Sequence, residues 1–106
     1  MLGLKLVLVL LGYPLGINNV IIEFMTHSEL ITVGHSAVKL TNKTFLSSFT
    51  ATPYVYASIS TQVDTYTNAF SYAVNITLTG FDIAVKNWNS GYNANVQDIK
   101  VIAIGY

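Results

Sequence analysis

From Glu29 to Tyr106 the apolar residues recur at alternate positions in short runs, and no stretch sustains a helical period. Val, Ile, Thr and Tyr dominate, and turn formers interrupt the runs about every ten residues. A chain written this way is restricted to β structure. "ELITVGHSAVKL" predicts a first strand, broken near Gly34, and "KTFLSSF" a second, with Phe45 and Phe49 on one face. Pro53 opens "PYVYASIS", where Val55, Ala57 and Ile59 face one way and Tyr54, Tyr56 and Ser58 the other; the first residue of a strand tolerates proline. After the polar connection "QVDTYTN", "AFSYAVNI" puts Phe70, Tyr72, Val74 and Ile76 on one face. "FDIAVKNW" aligns Phe81, Ile83 and Val85, and the short turn "TLTG" before it offers Gly80 for a positive φ. A last strand runs from about Asn95 to Ile104. These features predict an all-β fold, a six-stranded antiparallel β-sandwich over residues 29–106.

That closing strand carries Ile99, Val101 and Ala103 on one face and Ile102 and Ile104 on the other. A strand apolar on both sides needs cover on both, whereas an antiparallel sandwich strand normally shows one face to water. Composition points the same way. Apolar residues make up 52% of the 106 and charged residues 9%, far below an ordinary soluble domain. So small and uncharged a domain is expected to expose apolar patches of the kind that mark interfaces, and to associate with copies of itself. Five basic residues balance five acidic ones, which argues against nucleic acid or an anionic membrane as partner. Without cysteine, neither a disulfide framework nor a thiolate metal site is available.

Residues 1–28 read as a separate apolar extension. "MLGLKLVLVLLGYPLG" has one lysine, Lys5, and an apolar run from Leu6 to Leu11 before a Gly/Pro break. The run is too short to cross a membrane and has the size of a signal-peptide core. The alternative is a retained β-rich segment, "KLVLVLL" then "NNVIIEFM", that docks on a neighbouring subunit or a larger assembly.

The only tryptophan, Trp88, stands at the lip of a loop rich in Asn, Ser and Gly. A sugar presents hydroxyls that need donors and acceptors, and an apolar face that stacks on an aromatic ring. Trp88 and Tyr92 offer rings; Asn87, Asn89, Ser90, Asn93 and Asn95 offer amides and a hydroxyl. The competing reading makes Trp88 a plug at the end of the sandwich and the asparagines turn formers. Other constellations are weaker. His27 and His35, with Glu23 and Glu29 nearby, lack zinc-site spacing, and Asp64 and Asp82 fall on a loop and an outward strand face. No nucleophile elbow or phosphate-cradling loop occurs, so the chain is read as non-enzymatic and without cofactor. Asn42-Lys43-Thr44 and Asn75-Ile76-Thr77 fit the glycosylation pattern.

Three strings, in order, resemble the H-type lectin domain family: "KTFLSSFTATPYVYASIS", "TNAFSYAVNITLTGFDIAVKNW" and "VIAIGY". The resemblance spans about Thr41 to Tyr106, with Val101 where the family commonly has tryptophan. It implies a six-stranded sandwich assembled as a parallel homotrimer, with sugar sites in clefts between subunits. Carried onto this chain, the family's stacking aromatic is Trp88. Asn89 takes the place of the following His, and Phe70, two after Asn68, takes the place of an arginine. The acidic loop aligns around Thr32 to His35, where no carboxylate occurs. The expected carbohydrate-binding residues are thus Trp88, Asn89, Tyr92, Asn68 and Phe70, in an altered site.

Two functions fit. One is a trimeric virion structural or receptor-adhesion protein, such as a bacteriophage tail, fibre or head decoration, whose residues 1–28 contact other virion proteins and whose loops meet host glycans. The other is a secreted lectin that cross-links cell-surface carbohydrate through multivalency.

Overall fold

The computed structural model describes residues 3–9 and 19–106, with side chains from Val20 onward. Among these residues lie eight strands in two antiparallel sheets: β1 (Gly3–Val9), β2 (Asn19–His27), β3 (Ile31–Val33), β4 (Val38–Thr44), β5 (Tyr54–Gln62), β6 (Ala69–Val74), β7 (Gly80–Asn87) and β8 (Ala94–Gly105). β8 is the axis of the larger sheet. β5 pairs along one flank of it, from Tyr54↔Ile104 to Gln62↔Val96. β2 and β3 follow one another along the other flank, and β1 forms an antiparallel hairpin pair on the far side of β2. The smaller sheet has the order β4-β7-β6.

The all-β sandwich expected from the period-two pattern is what forms; the described residues hold eight strands, six of them (β3 to β8) within 29–106 and two (β1 and β2) before it, and the six are not the ones foreseen. "KTFLSSF" is not a strand beyond Thr44. Phe45, Ser47 and Phe49 are buried while Leu46, Ser48 and Thr50 are exposed, so the side chains alternate as in a strand. The backbone has other partners. Phe45 N donates to Thr79 O, and Thr50 N and Ala51 N donate to Tyr106 O. The N–H groups of Leu46 and Ser47 donate to the two carboxylate oxygens of Glu23 at 2.9 and 2.8 Å. A side chain from β2 thus does for this segment what a neighbouring strand would do.

Residues 19–27, set apart in sequence as part of an extension, form an inner strand of the larger sheet. Glu23, Met25 and His27 point inward, and Met25 joins the core. β1 pairs with β2 of the same chain. The Gly/Pro break after Leu11 lies outside the described residues.

The break expected near Gly34 is present, and it hands the chain from the larger sheet (β3) to the smaller (β4). β8 changes phase within itself. Ala94 and Val96 are buried, then Ile99, Val101 and Ala103, with Asp98 at φ 55° between the stretches that pair with β3 and β2. Asp98 adopts the left-handed conformation that Asp tolerates better than most residues, and the inward alternation of β8 breaks there.

The core between the sheets is built from Phe81, Ile83 and Val85 of β7 against Val96, Ile99, Val101 and Ala103 of β8. The Phe45 ring stacks on Phe81 with centroids 5.3 Å apart and meets Phe49 edge-on at 5.0 Å. Burying each such side chain contributes about 1.5–3 kcal/mol. In β6 the alternating set Phe70, Tyr72 and Val74 shares the outer face, while Ala69 and Ala73 pack against the core; Ile76, read onto the same face as Phe70, instead packs against the core beyond the strand's end. β6 lies beside β5, where the Ser71 hydroxyl donates to Ala57 O at 2.9 Å, and small residues let the two strands approach.

Candidate carbohydrate-binding site

The end of the sandwich bearing Trp88 is assembled around Asn87, the last residue of β7. Asn87 has no exposed surface. Its side-chain nitrogen lies within donating distance of three carbonyls, Val33 at 3.2 Å, Gly34 at 3.1 Å and Tyr92 at 2.9 Å. Its side-chain oxygen accepts from Asn89 N at 2.8 Å. One buried amide therefore ties the β3–β4 crossover to both ends of the 88–93 loop. Asn89 extends the frame. Its Oδ1 accepts from Gly91 N and Tyr92 N at 2.8 and 3.2 Å, and its Nδ2 donates to Tyr66 O at 3.0 Å.

With the loop held from below, its aromatic residues stand outward. Trp88 is 61% exposed, which excludes the plug reading. Trp88 N donates to Asn68 O at 2.8 Å, continuing the β6–β7 ladder one step beyond Ala69↔Asn87. The indole stacks on Phe70 at 5.7 Å, with planes 26° apart, and the Lys86 ammonium lies 5.3 Å from its centroid. That ammonium also donates to Ser36 O. Around the loop, the rings of Tyr66 and Tyr92 stack at 4.4 Å, both largely exposed.

Beneath this pair is a polar cluster. Asp64 accepts from Tyr66 N and the Thr67 hydroxyl through one oxygen and from Asn95 Nδ2 through the other, at 3.0, 3.1 and 3.0 Å. Asn95 Oδ1 in turn accepts from the Thr32 hydroxyl at 2.8 Å. The Asn95 bond first, then those from Thr67 and Tyr66, hold the Asp64 carboxyl below its ordinary value. Exposed rings on a rigid, hydrogen-bonded loop are the components of a sugar-stacking site.

A family model for the H-type lectin domain matches residues 40–101, more than half of the chain. The chain belongs to the H-type lectin domain family. That family is a carbohydrate-binding, non-enzymatic kind. Searches of curated proteins and of solved structures gave no match.

Within this lectin domain, four of the five expected site residues are neighbours around Trp88. Trp88 and Phe70 are in contact, Asn68 is bonded to Trp88 through its backbone, and Asn89 follows in the chain. Tyr92 belongs to the same loop but pairs with Tyr66. Asn87 and Asn89 differ from the expectation that the loop asparagines present amides to a ligand, because their side chains are engaged with the loop itself. Asn95 likewise serves the Asp64 cluster. Asn68 is exposed. The stretch from Thr32 to His35 approaches from β3, with the Thr32 hydroxyl bound to Asn95.

Three residues passed over in the sequence belong here. Lys86 lies two before Trp88, so their shared strand face was legible from period-two alternation. Tyr72 follows Phe70 by the same rule. Nothing in the sequence pointed to Tyr66, which meets Tyr92 only because two loops converge.

Proposed function

We propose that this lectin domain binds glycans through the exposed aromatic surface centred on Trp88, as a non-enzymatic subunit of a homotrimer. In our reading that trimer is a receptor-adhesion component of a virus particle. The observation that carries the binding role is an exposed indole on a loop whose own polar groups are internally bonded. Asn87 and Asn89 hold the loop still, so a ligand meets a preformed surface at little cost in ordering.

The trimer is supported by the outer face of the larger sheet. There the register lines up Ile22–Ile104–Tyr54 and Phe24–Ile102–Tyr56 in two rows across β2, β8 and β5. Phe24, Ile102, Ile104, Tyr54 and Tyr56 all remain exposed in the single chain. A contiguous apolar face of this kind is the surface that associating subunits cover. The low charge and the apolar residues preceding β2 support membership of a larger particle, in which the segment before β2 touches other structural proteins.

Glycan-array binding of the parent protein and of Trp88→Ala tests the site. Binding that the substitution abolishes supports it, and an array blank for the parent rejects it. Attachment of the protein to purified particles distinguishes a virion subunit from a secreted lectin, which would be found without them.

A further inference from the structure

The smaller sheet has an outer face of its own, and the Trp88 loop is only one end of it. Along β6 and β7 the rings of Trp88, Phe70 and Tyr72 follow one another in centroid steps of 5.7 and 5.5 Å, with planes inclined by 26° and 25°. Phe70 is 41% and Tyr72 37% exposed. Neither ring is needed in the core, because Ala69, Ser71 and Ala73 form the inner face of β6. The result is a continuous strip of aromatic surface leading away from the loop, on a single protomer.

Hydrogen-bonding groups flank the strip. Beside Phe70, a groove of about 260 Å³ between β5 and β6 is lined partly by Ser58, Gln62 and Ser71. The Lys86 ammonium stands at the Trp88 end. At the Tyr72 end, the Asp82 carboxylate accepts from Asn42 and Asn75 at 3.0 and 2.8 Å. Apolar ring surface bordered by amides, hydroxyls and one ion of each sign complements a row of sugar rings, whose faces are apolar and whose edges are polar. The outer face of the larger sheet, with isoleucines in its middle, is the better subunit surface.

We infer that the outer face of the β4-β7-β6 sheet binds a glycan chain of two or more sugars, laid along Trp88, Phe70 and Tyr72 with hydroxyls in the β5–β6 groove. This rests on the lectin reading above and narrows it from a terminal sugar to a chain.

Trp88 is the only tryptophan, so its fluorescence reports the strip directly. The full chain is titrated with cello-, laminari- and chito-oligosaccharides of one to four units, and with galactose and N-acetylgalactosamine. In at least one series affinity rises about tenfold or more between one and three sugars. Tyr72→Ala, with an unchanged circular dichroism spectrum, loses that gain, whereas Tyr72→Phe retains it. Affinity independent of chain length overturns the strip, as does a Tyr72→Ala protein that binds like its parent. A fall in particle mass on Tyr72→Ala also overturns it, because the face would then be a subunit contact. These results leave the Trp88 site standing if the array is positive. An absence of response in every series removes the strip, and a blank array removes the proposed function too. Should Tyr72→Ala fail to fold, the parent's length dependence decides alone.

Discussion

Asn87 and Trp88 are adjacent in sequence and opposite in circumstance, one with no exposed surface and the other mostly in solvent. Their substitutions should therefore separate stability from binding. Asn87→Ala strands the loop's donors and acceptors in a buried place and is expected to cost about 2–3 kcal/mol. A lowered urea midpoint measures this, and an unchanged midpoint would show that the amide is dispensable. Trp88→Ala should alter stability by about 1 kcal/mol or less while lowering glycan affinity about tenfold or more. Asp64 makes a pH prediction. Its donors favour the charged form, so its folded value lies below the ordinary 3.8. The contribution of those bonds is present above the unfolded value and lost as pH falls through the folded one. A carboxyl-carbon NMR titration should give a midpoint below the ordinary value, and one above it would contradict the cluster around Asn95.

At the scale of elements, β2 decides more than its place near the N-terminus suggests. Glu23 is fully buried, and its carboxylate terminates the backbone of the segment after β4. Glu23→Ala leaves the N–H groups of Leu46 and Ser47 without their acceptor and should destabilise by about 2–4 kcal/mol, with Glu23→Gln costing less because one oxygen remains. Two residues past Met25, burial first and then the Lys43 ammonium lower the pKa of His27, with Glu29 opposing. The unfolded chain therefore takes up the proton more readily, and stability falls as pH drops from the ordinary 6.5 toward the lowered folded value. Urea midpoints at pH 7 and 5 should show this loss, and His27→Phe should diminish it. In the smaller sheet, a Cβ on Gly80 would lie 2.3 Å from Lys43 O, a backbone atom that cannot turn aside. Gly80→Ala should loosen the β4–β7 pairing at its Thr44 end, seen as faster amide exchange there than at Val38.

The whole molecule shows apolar surface on both sides of its core. On the larger sheet this predicts association: light scattering should report a trimer for the parent, and Ile104→Lys should yield a folded, smaller species. A parent that stays monomeric at micromolar concentration would leave the β2-β8-β5 face unexplained.

Much of the fold was legible because an antiparallel sandwich repeats its side-chain pattern every two residues. The strands holding Val55, Ala57 and Ile59, and Phe81, Ile83 and Val85, follow from it. The pattern does not say which face of a strand is inside. For β6 the larger residues are outside, since β6 needs a small inner face where Ser71 reaches Ala57 O. Nor does alternation distinguish a strand from the segment at Phe45 and Phe49, where a buried carboxylate substitutes for a neighbouring strand.

By itself the amino-acid order determined the all-β class, the strands of the sandwich core, the break at Gly34 and the family. These are local or nearly local properties, set by alternation, turn formers and the order of short strings. Only the tertiary structure decided that Glu23 holds a loop 23 and 24 residues away, at Leu46 and Ser47, that Tyr66 meets Tyr92, and that Trp88, Phe70 and Tyr72 form one surface. Such pairings depend on how strands register and sheets close over one another, and sequence separation carries no record of that.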